Sequence, residues 1–487
     1  MNPFKKLFKQ TFIYGLATVL PRMLSFFLVR LYTDVMPPGL YGEVSIIFSW
    51  FAIFNVFLAY GMETAFFRFF HKSNDRSQVV STSLISILIS TGIFFTFAFI
   101  FKNQFANISN IHVKYIEYAI YILVLDTLVI IPFSWLRANE KPMKYAIIKI
   151  ANVSINLGLN IFFLILLPKL IENNPESIFE SVYRQDYQIS YIFLSNLFAS
   201  SITLLFMSNL YIKNKYIFNK ELWRKMMNYA MPVLVAGIAY TINEVFDRIL
   251  LSWLLPEKIA EIEIGKYAAC YKLALFMTLF ATAFRMGIEP FFFSHSNTKN
   301  PQKAYAQITD YFVIIGSVIL LSVIVFSDVL KYIFVNNEAY WEAMKIVPLI
   351  ILANFFLGIY HNLSVWYKVT DKTRYGAFIS CIGAAITLII NLILIPTLSY
   401  MASAIATLLA YGTMMILSYW FGKKNYPIPY NLRKIGFYLS ISILFSILSF
   451  YVFNRNLIAG SVLLIIFLGM TYKLENEKLR QVFIKKK

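Results

Sequence analysis

Charge is the scarcest property of this chain. Of its 487 residues only 14% are Asp, Glu, Lys or Arg, while 59% are hydrophobic and 18% aromatic. A soluble domain carries about 25% charged residues, so a water-facing globule is excluded. Cysteine is nearly missing too: Cys270 and Cys381 both sit in apolar runs, and no disulfide framework is indicated. The four histidines (His71, His112, His295, His361) show no ligand spacing, which argues against a metal centre. Short segments of alternating hydrophobicity, the mark of a membrane barrel, are absent. So is any loop long enough for a folded domain; the longest external one, Pro168 to Tyr187, is acidic.

Long apolar runs fill the chain instead, and the mean hydropathy is +0.64. A hydrocarbon layer about 30 Å thick takes roughly 20 apolar residues per helix. By that measure the sequence reads as an all-α polytopic membrane protein of about fourteen spans. The first six fall near 11–32, 41–67, 79–101, 115–136, 145–167 and 188–211. The next six fall near 229–255, 266–288, 307–327, 346–367, 376–396 and 400–421, and the last two near 435–453 and 457–472. The basic segment before the first span precedes a full-length apolar run, so the reading is an anchor rather than a cleaved leader.

Basic residues outnumber acidic ones, 44 to 25, giving a net charge of +19. Nucleic acid is a poor explanation, because the lysines gather in alternate short loops. With the N-terminus inside, internal segments hold 29 Lys and Arg and external ones 9. That asymmetry is the positive-inside pattern and places both termini in the cytoplasm.

A few charges remain inside the spans, where each costs roughly 3 kcal/mol on insertion scales and commonly faces a protein interior. The basic ones are Arg22, Arg30, Lys149, Arg248, Lys272 and Arg285; the acidic ones include Glu63, Asp126, Glu244, Asp247 and Glu289. Arg22 lies beside Pro21, about 16 Å into its helix at 1.5 Å per residue. Arg30 is near the external end, where reaching for the headgroups explains it equally well. The same account is the better one for Lys149 and Lys272. Glu244 and Arg248 share a helical face at four-residue spacing and read as an ion pair. Asp247 then lacks an obvious local partner, and a sharper reading makes Asp247 or Glu244 the group that takes a proton or sodium ion. Asp126 carries the same two readings. Glu63 and Glu289 end their spans at corresponding places and suggest an inner gate, with Arg68, Arg285 or loop lysines opposite.

That correspondence belongs to a repeat. Shifting the chain by 226 residues lays Gly61-Met62-Glu63 over Gly287-Ile288-Glu289, Gly39 and Tyr41 over Gly265 and Tyr267, and Arg22 over Arg248. Six spans separate the copies, so both halves run the same way, a transporter plan with the axis along the membrane normal. The expected organisation is a six-helix lobe over 1–212, a cytoplasmic linker over 213–228, a second six-helix lobe over 229–421, and two extra helices with a basic tail over 422–487.

The runs PRMLSFFLVRLYTDVMPPGLYGE, YGMETAFFRFF, NEVFDRILLSWLLP and FRMGIEPFFF carry a family resemblance. The chain resembles the polysaccharide transporters, the Wzx-like flippases, of the multidrug/oligosaccharidyl-lipid/polysaccharide exporter (MOP) superfamily. The resemblance implies a MATE-like fold and a flippase, not an enzyme. Its cargo would be an oligosaccharide on undecaprenyl pyrophosphate, moved across a bacterial cytoplasmic (inner) membrane for surface polysaccharide such as O-antigen or lipopolysaccharide. It also implies a polysaccharide polymerase and glycosyltransferases as companions, no cofactor, and drive from a proton or sodium gradient. Arg22, Arg30, Arg248 and Arg285 are the expected substrate ligands, since a guanidinium fork grips phosphate oxygens in pairs. Asp126, Glu244, Asp247, Glu63 and Glu289 are the expected coupling or gate residues. The alternatives are a MATE-type multidrug or metabolite antiporter and, further off, a membrane polysaccharide polymerase or ligase.

Overall fold

The computed structural model describes residues 19–174 apart from 22 and 25, then 179–180, 183–184, 186–295, 300–370 and 372–484. Among them there is no strand. Thirteen helical stretches are long and apolar enough to cross a membrane: 38–72, 76–100, 113–138, 142–173, 188–213, 220–254, 259–288, 301–325, 338–369, 374–398, 400–425, 432–452 and 457–476. They coincide with the second to fourteenth expected spans. The first expected span is described from residue 19 onward; that part is helical to residue 35, apart from 22 and 25, and is here α1. The chain is an all-α, multi-pass membrane protein. Large apolar side chains stand on its outer surface, such as Ile93, Leu205, Ile393 and Ile465, each more than 60% exposed. A water-facing fold would bury them, whereas lipid is their natural solvent.

By compactness the chain falls into two units, Met1–Gly265 with Asn391–Tyr400, and Lys266–Ile390 with Met401–Lys487. The boundary differs from the repeat boundary at 213–228 because the two criteria measure different things. The repeat follows sequence likeness, whereas compactness follows packing, and the long helix after residue 219 packs along the second span.

In the first unit the second span is α2 (Pro38–Ala59) followed by α3 (Met62–Lys72). Between them Tyr60 and Gly61 take left-handed backbone angles, φ 33° and 71°. A Cβ on Gly61 would lie 2.4 Å from the Ala230 carbonyl oxygen, so only glycine fits this turn. Next come α4 (Arg76–Ile100), the short α5 (Lys102–Ser109), α6 (Val113–Leu128) and α7 (Ile130–Ala138). Pro132 in the first turn of α7 suits the break between α6 and α7, where its missing N–H matters least. Then follow α8 (Pro142–Ile161), a π-turn at Phe162–Leu166, α9 (Leu167–Asn173) and α10 (Gln188–Lys213). The last long helix, α11 (Lys220–Leu254), begins inside the expected linker. It runs beside α2 and α3, while α10 packs on α6 and α8. Hydroxyls line these seams: Ser195, Ser200 and Thr203 of α10 are buried. Small polar residues let helices approach closely where lipid supplies no hydrophobic drive between them.

α12 (Glu257–Tyr271) bridges the two units in sequence, and α13 (Leu275–His295) opens the second. The second unit continues with α14 (Pro301–Val325), α15 (Ser327–Phe334), α16 (Val347–Leu363), α17 (Val365–Val369), α18 (Arg374–Leu398) and α19 (Tyr400–Asn425). Inside it α13 and α14 both pack on α16. A Cβ on Gly316 or Gly358 would collide with the rings of Phe355 and Phe312 respectively, so the α14–α16 contact is a reciprocal ring-on-glycine fit. The closing pair, α20 (Leu432–Ile447) and α21 (Leu457–Ile484), lies against α14. An ion pair ties the two helices: Lys434 Nζ stands 2.6 Å from the buried Glu475 carboxylate, which also accepts from the Tyr438 hydroxyl.

Candidate functional site

Arg22 lies outside the described residues. Arg30, two turns further along α1, makes a four-residue ion pair with Asp34, Nε to Oδ2 2.7 Å, and both are about one-third exposed. Asp34 lies in the last turn of α1, so the pair braces the end of that helix from within.

Among the described residues Arg248 is the most enclosed cation of the first unit, 7% exposed, and Asp247 beside it is 3% exposed. Its Nη1 donates to Asp247 Oδ1 at 3.2 Å and to the Glu244 carbonyl at 3.1 Å, and its backbone N–H donates to the same Asp247 oxygen. The sequence reading left Asp247 without a local partner. That expectation is corrected: Asp247 holds Arg248, because its short side chain folds back along the helix instead of projecting 100° away. A charge in this setting persists only when paired, and removing one partner of such a pair costs roughly 3–5 kcal/mol.

Asp126 on α6 accepts from Ser200 Oγ on α10 at 2.7 Å. Lys149 on α8 lies within electrostatic reach of Asp126 and of Glu63. Its ammonium also rests 4.3 Å from the centre of the Phe133 ring. Lys149 therefore does not simply reach for the headgroups; it faces inward across the α6–α8–α10 seam. Asn152 Nδ2 donates to Thr203 Oγ1 one turn further along the same seam. Burying a carboxylate, an amine, an amide and two hydroxyls in one lipid-enclosed bundle is costly, and such a polar track is where ion or substrate chemistry is found in membrane proteins.

Glu63, at the start of α3, pairs with Arg137 of α7, Oε1 to Nη1 2.5 Å. The partners named from the sequence were Arg68, Arg285 or loop lysines. Arg68 instead covers the Tyr229 ring of α11 at 4.2 Å. Seventy-four positions separate Glu63 from Arg137, so no local spacing could have paired them. In the second unit, Arg285 of α13 lies in the field of His361 of α16. The sequence singled out no role for His361. Glu289 stands in α13 one turn after Arg285; its side chain lies outside the described set. Asp310 of α14, 9% exposed, is a further buried carboxylate the sequence reading passed over. Its position just inside the ninth span was the available signal. Among the described residues no cluster of three His, Cys, Asp or Glu is placed to hold a metal ion.

The fold and its charges define a class, all-α multi-pass membrane proteins with paired charges set among their spans. The model of the polysaccharide biosynthesis protein family matches residues 7–295, more than half of the chain, and that of the MatE family matches 232–393. The chain belongs to the polysaccharide biosynthesis protein family. Three solved structures illustrate the fold. The lipid II flippase MurJ in an inward closed conformation shares 16% identity at a TM-score of 0.71, covering 95% of this chain and 99% of its own. An inward-facing multidrug resistance MATE family transporter gives 11% and 0.63, over 88% and 96%. A MOP superfamily transporter from Pyrococcus furiosus gives 13% and 0.61, over 85% and 95%. No curated protein sequence matches the chain.

Proposed function

We propose that this transporter is a flippase for an oligosaccharide carried on undecaprenyl pyrophosphate. It would move the cargo from the cytoplasmic to the outer leaflet of a bacterial inner membrane by alternating access. The observation that carries the reading is the polysaccharide biosynthesis family match across 7–295, the segment that contains Arg22, Arg30, Arg248 and Arg285. A pyrophosphate needs fixed cations along its path, and arginine keeps its charge at any depth. Both termini then face the cytoplasm, in keeping with the basic alternate loops. A polymerase and glycosyltransferases are the expected companions, since flipped units must be made on one side and joined on the other. The test is direct. Purified protein in liposomes should translocate a radiolabelled undecaprenyl-pyrophosphate glycan, and empty liposomes should not. Equal rates in both would end the proposal.

The Arg248–Asp247 pair suggests how a gradient could be coupled. While Asp247 is ionised it neutralises Arg248, which is then a poor phosphate ligand. A proton or sodium ion on Asp247, with Glu244 beside it, releases the guanidinium for the cargo. Asp126 in its own seam is a second candidate for the same role, and Glu63 and Glu289 remain the proposed gate. Asp247→Asn should therefore transport at a rate independent of the proton or sodium gradient. Transport by that variant with the dependence of the parent protein would move the coupling elsewhere. A MATE-type antiporter is the second reading, favoured by the MatE match over 232–393. Drug efflux by liposomes that fail to flip the lipid-linked glycan would decide for it.

A further inference from the structure

One pocket in the first unit stands apart from the charged seams described above. It holds about 460 Å³ and lies where five helix ends meet, those of α3, α4, α7, α8 and α10. Arg76 enters it from the start of α4, Lys141 and Lys144 from the start of α8, and Lys213 from the end of α10. No acidic residue lines it. Among the described residues none of these four cations is in an ion pair. The nearest acids in sequence are engaged otherwise or lie off the wall: Asp75 caps α4 by accepting from the Gln78 N–H at 3.1 Å, and Glu140 is not part of the lining. Two of the cations are held in place by rings, Lys141 4.4 Å from the centre of Trp135 and Arg76 5.3 Å from that of Phe70.

The wall changes character along its helices. Beside the cations stand Ser77 and Asn209; further along α4 and α10 from the basic ends come Val80, Met207 and Phe206. Phe206 is 54% exposed, and Leu205 and Phe198 continue an exposed apolar stripe along α10 away from the basic end. A ligand that fits this gradient is anionic at one end and carries a hydrocarbon chain at the other.

We propose that the pocket binds the phosphate headgroup of an anionic phospholipid, with an acyl chain laid along Phe206 and Leu205. Each basic residue that converges on a headgroup from a helix end strengthens binding of an anionic lipid about fivefold. Basic loops are expected on this side of any such protein. What distinguishes these four residues is their convergence on one concave, acid-free wall. The inference stands independently of the transported cargo.

The shared chemistry is a phosphate, which a soluble ion could also supply, so the test separates the sources. Native mass spectrometry of the full chain in detergent would be titrated with dioleoyl phosphatidylglycerol, dioleoyl phosphatidylcholine and inorganic phosphate. Phosphatidylglycerol should bind at least tenfold more tightly than phosphatidylcholine, and millimolar inorganic phosphate should not displace it. The triple variant Lys141→Ala, Lys144→Ala, Lys213→Ala should lose about a hundredfold in affinity for phosphatidylglycerol. The corresponding triple arginine variant should keep it, as should Lys220→Ala with Arg224→Ala, which lie outside the lining. If the triple alanine variant does not fold, Lys144→Ala and Lys213→Ala alone should each weaken binding several-fold. Equal retention of the two lipids, unchanged binding in the alanine variants, or full displacement by inorganic phosphate would overturn the proposal.

Discussion

Gly265→Ala is expected to cut transport at least tenfold while the protein still inserts in the membrane. The Cβ it adds would sit 1.9 Å from the Pro38 carbonyl oxygen and 3.1 Å from the Gly42 backbone nitrogen. The same contact seen from the other side predicts the same outcome for Gly42→Ala, whose Cβ would sit 1.9 Å from the Glu261 carbonyl oxygen. Here the obstacle is backbone on both sides, so no side chain can swing aside and the helices must part. Overpacking of this kind costs roughly 1–3 kcal/mol. If the protein works by the proposed alternating access, that cost falls only on the state in which α2 and α12 touch. The equilibrium would shift by about tenfold for each 1.4 kcal/mol, and the cycle would stall in the other state. Cysteines at Gly39 and Ile262, whose side-chain positions approach to 3.8 Å, should cross-link in the parent background. They should cross-link much less with Gly265→Ala. Cys270 and Cys381 would first be replaced. Gly92→Ala is the matched control, since nothing lies within 4 Å of its added Cβ. Undiminished cross-linking and transport in Gly265→Ala would show that this crossing is not part of the cycle.

The repeat in the sequence pointed toward this crossing but did not describe it. It aligned Gly265 with Gly39, as equivalent positions in two copies. In the structure Gly265 meets Pro38 and Gly42, so the copies touch each other slightly out of register. Equivalence is a property of composition and survives in the sequence; contact depends on how helices cross, and leaves no spacing signal. The spans themselves were legible for a simple reason. Each must supply about 20 apolar residues by itself, so its evidence is local. The break at Tyr60–Gly61 was not legible, because the reason for glycine there is the Ala230 carbonyl of α11, far along the chain.

The site divides in the same way. That Asp126, Asp247 and Arg248 sit at depth could be read from hydropathy alone. Their partners could not, except within one helix. Even there the four-residue rule pointed to Glu244 and overlooked the neighbour, Asp247, whose carboxylate reaches Arg248 by bending along the helix surface. The rule describes side chains projecting into water, whereas in a lipid-enclosed bundle a buried charge takes whichever oxygen it can reach. Glu63 with Arg137 needed the fold to bring separate helices together.

Arg22→Ala should abolish export of the lipid-linked glycan and of the surface polysaccharide built from it, with normal amounts of protein in the membrane. By the sequence Arg22 is expected in mid-span, too deep to reach either headgroup layer easily, next to a proline that would loosen the helix ladder. It is the repeat equivalent of Arg248, a cation the fold encloses and pairs with its own carboxylate. A second such arginine is costly unless the cargo uses it. Charge alone is not the whole requirement: a guanidinium can hold two phosphate oxygens at once, while an ammonium is a point charge. Arg22→Lys should therefore recover only part of the rate, with the apparent affinity for the glycan weakened by about tenfold, the loss of roughly one charge-assisted hydrogen bond of 1.5–3 kcal/mol. Flipping of radiolabelled lipid-linked glycan in proteoliposomes measures both variants against the parent. Full activity of Arg22→Ala would remove Arg22 from the pathway. Full activity of Arg22→Lys alone would keep the charge and discard the fork.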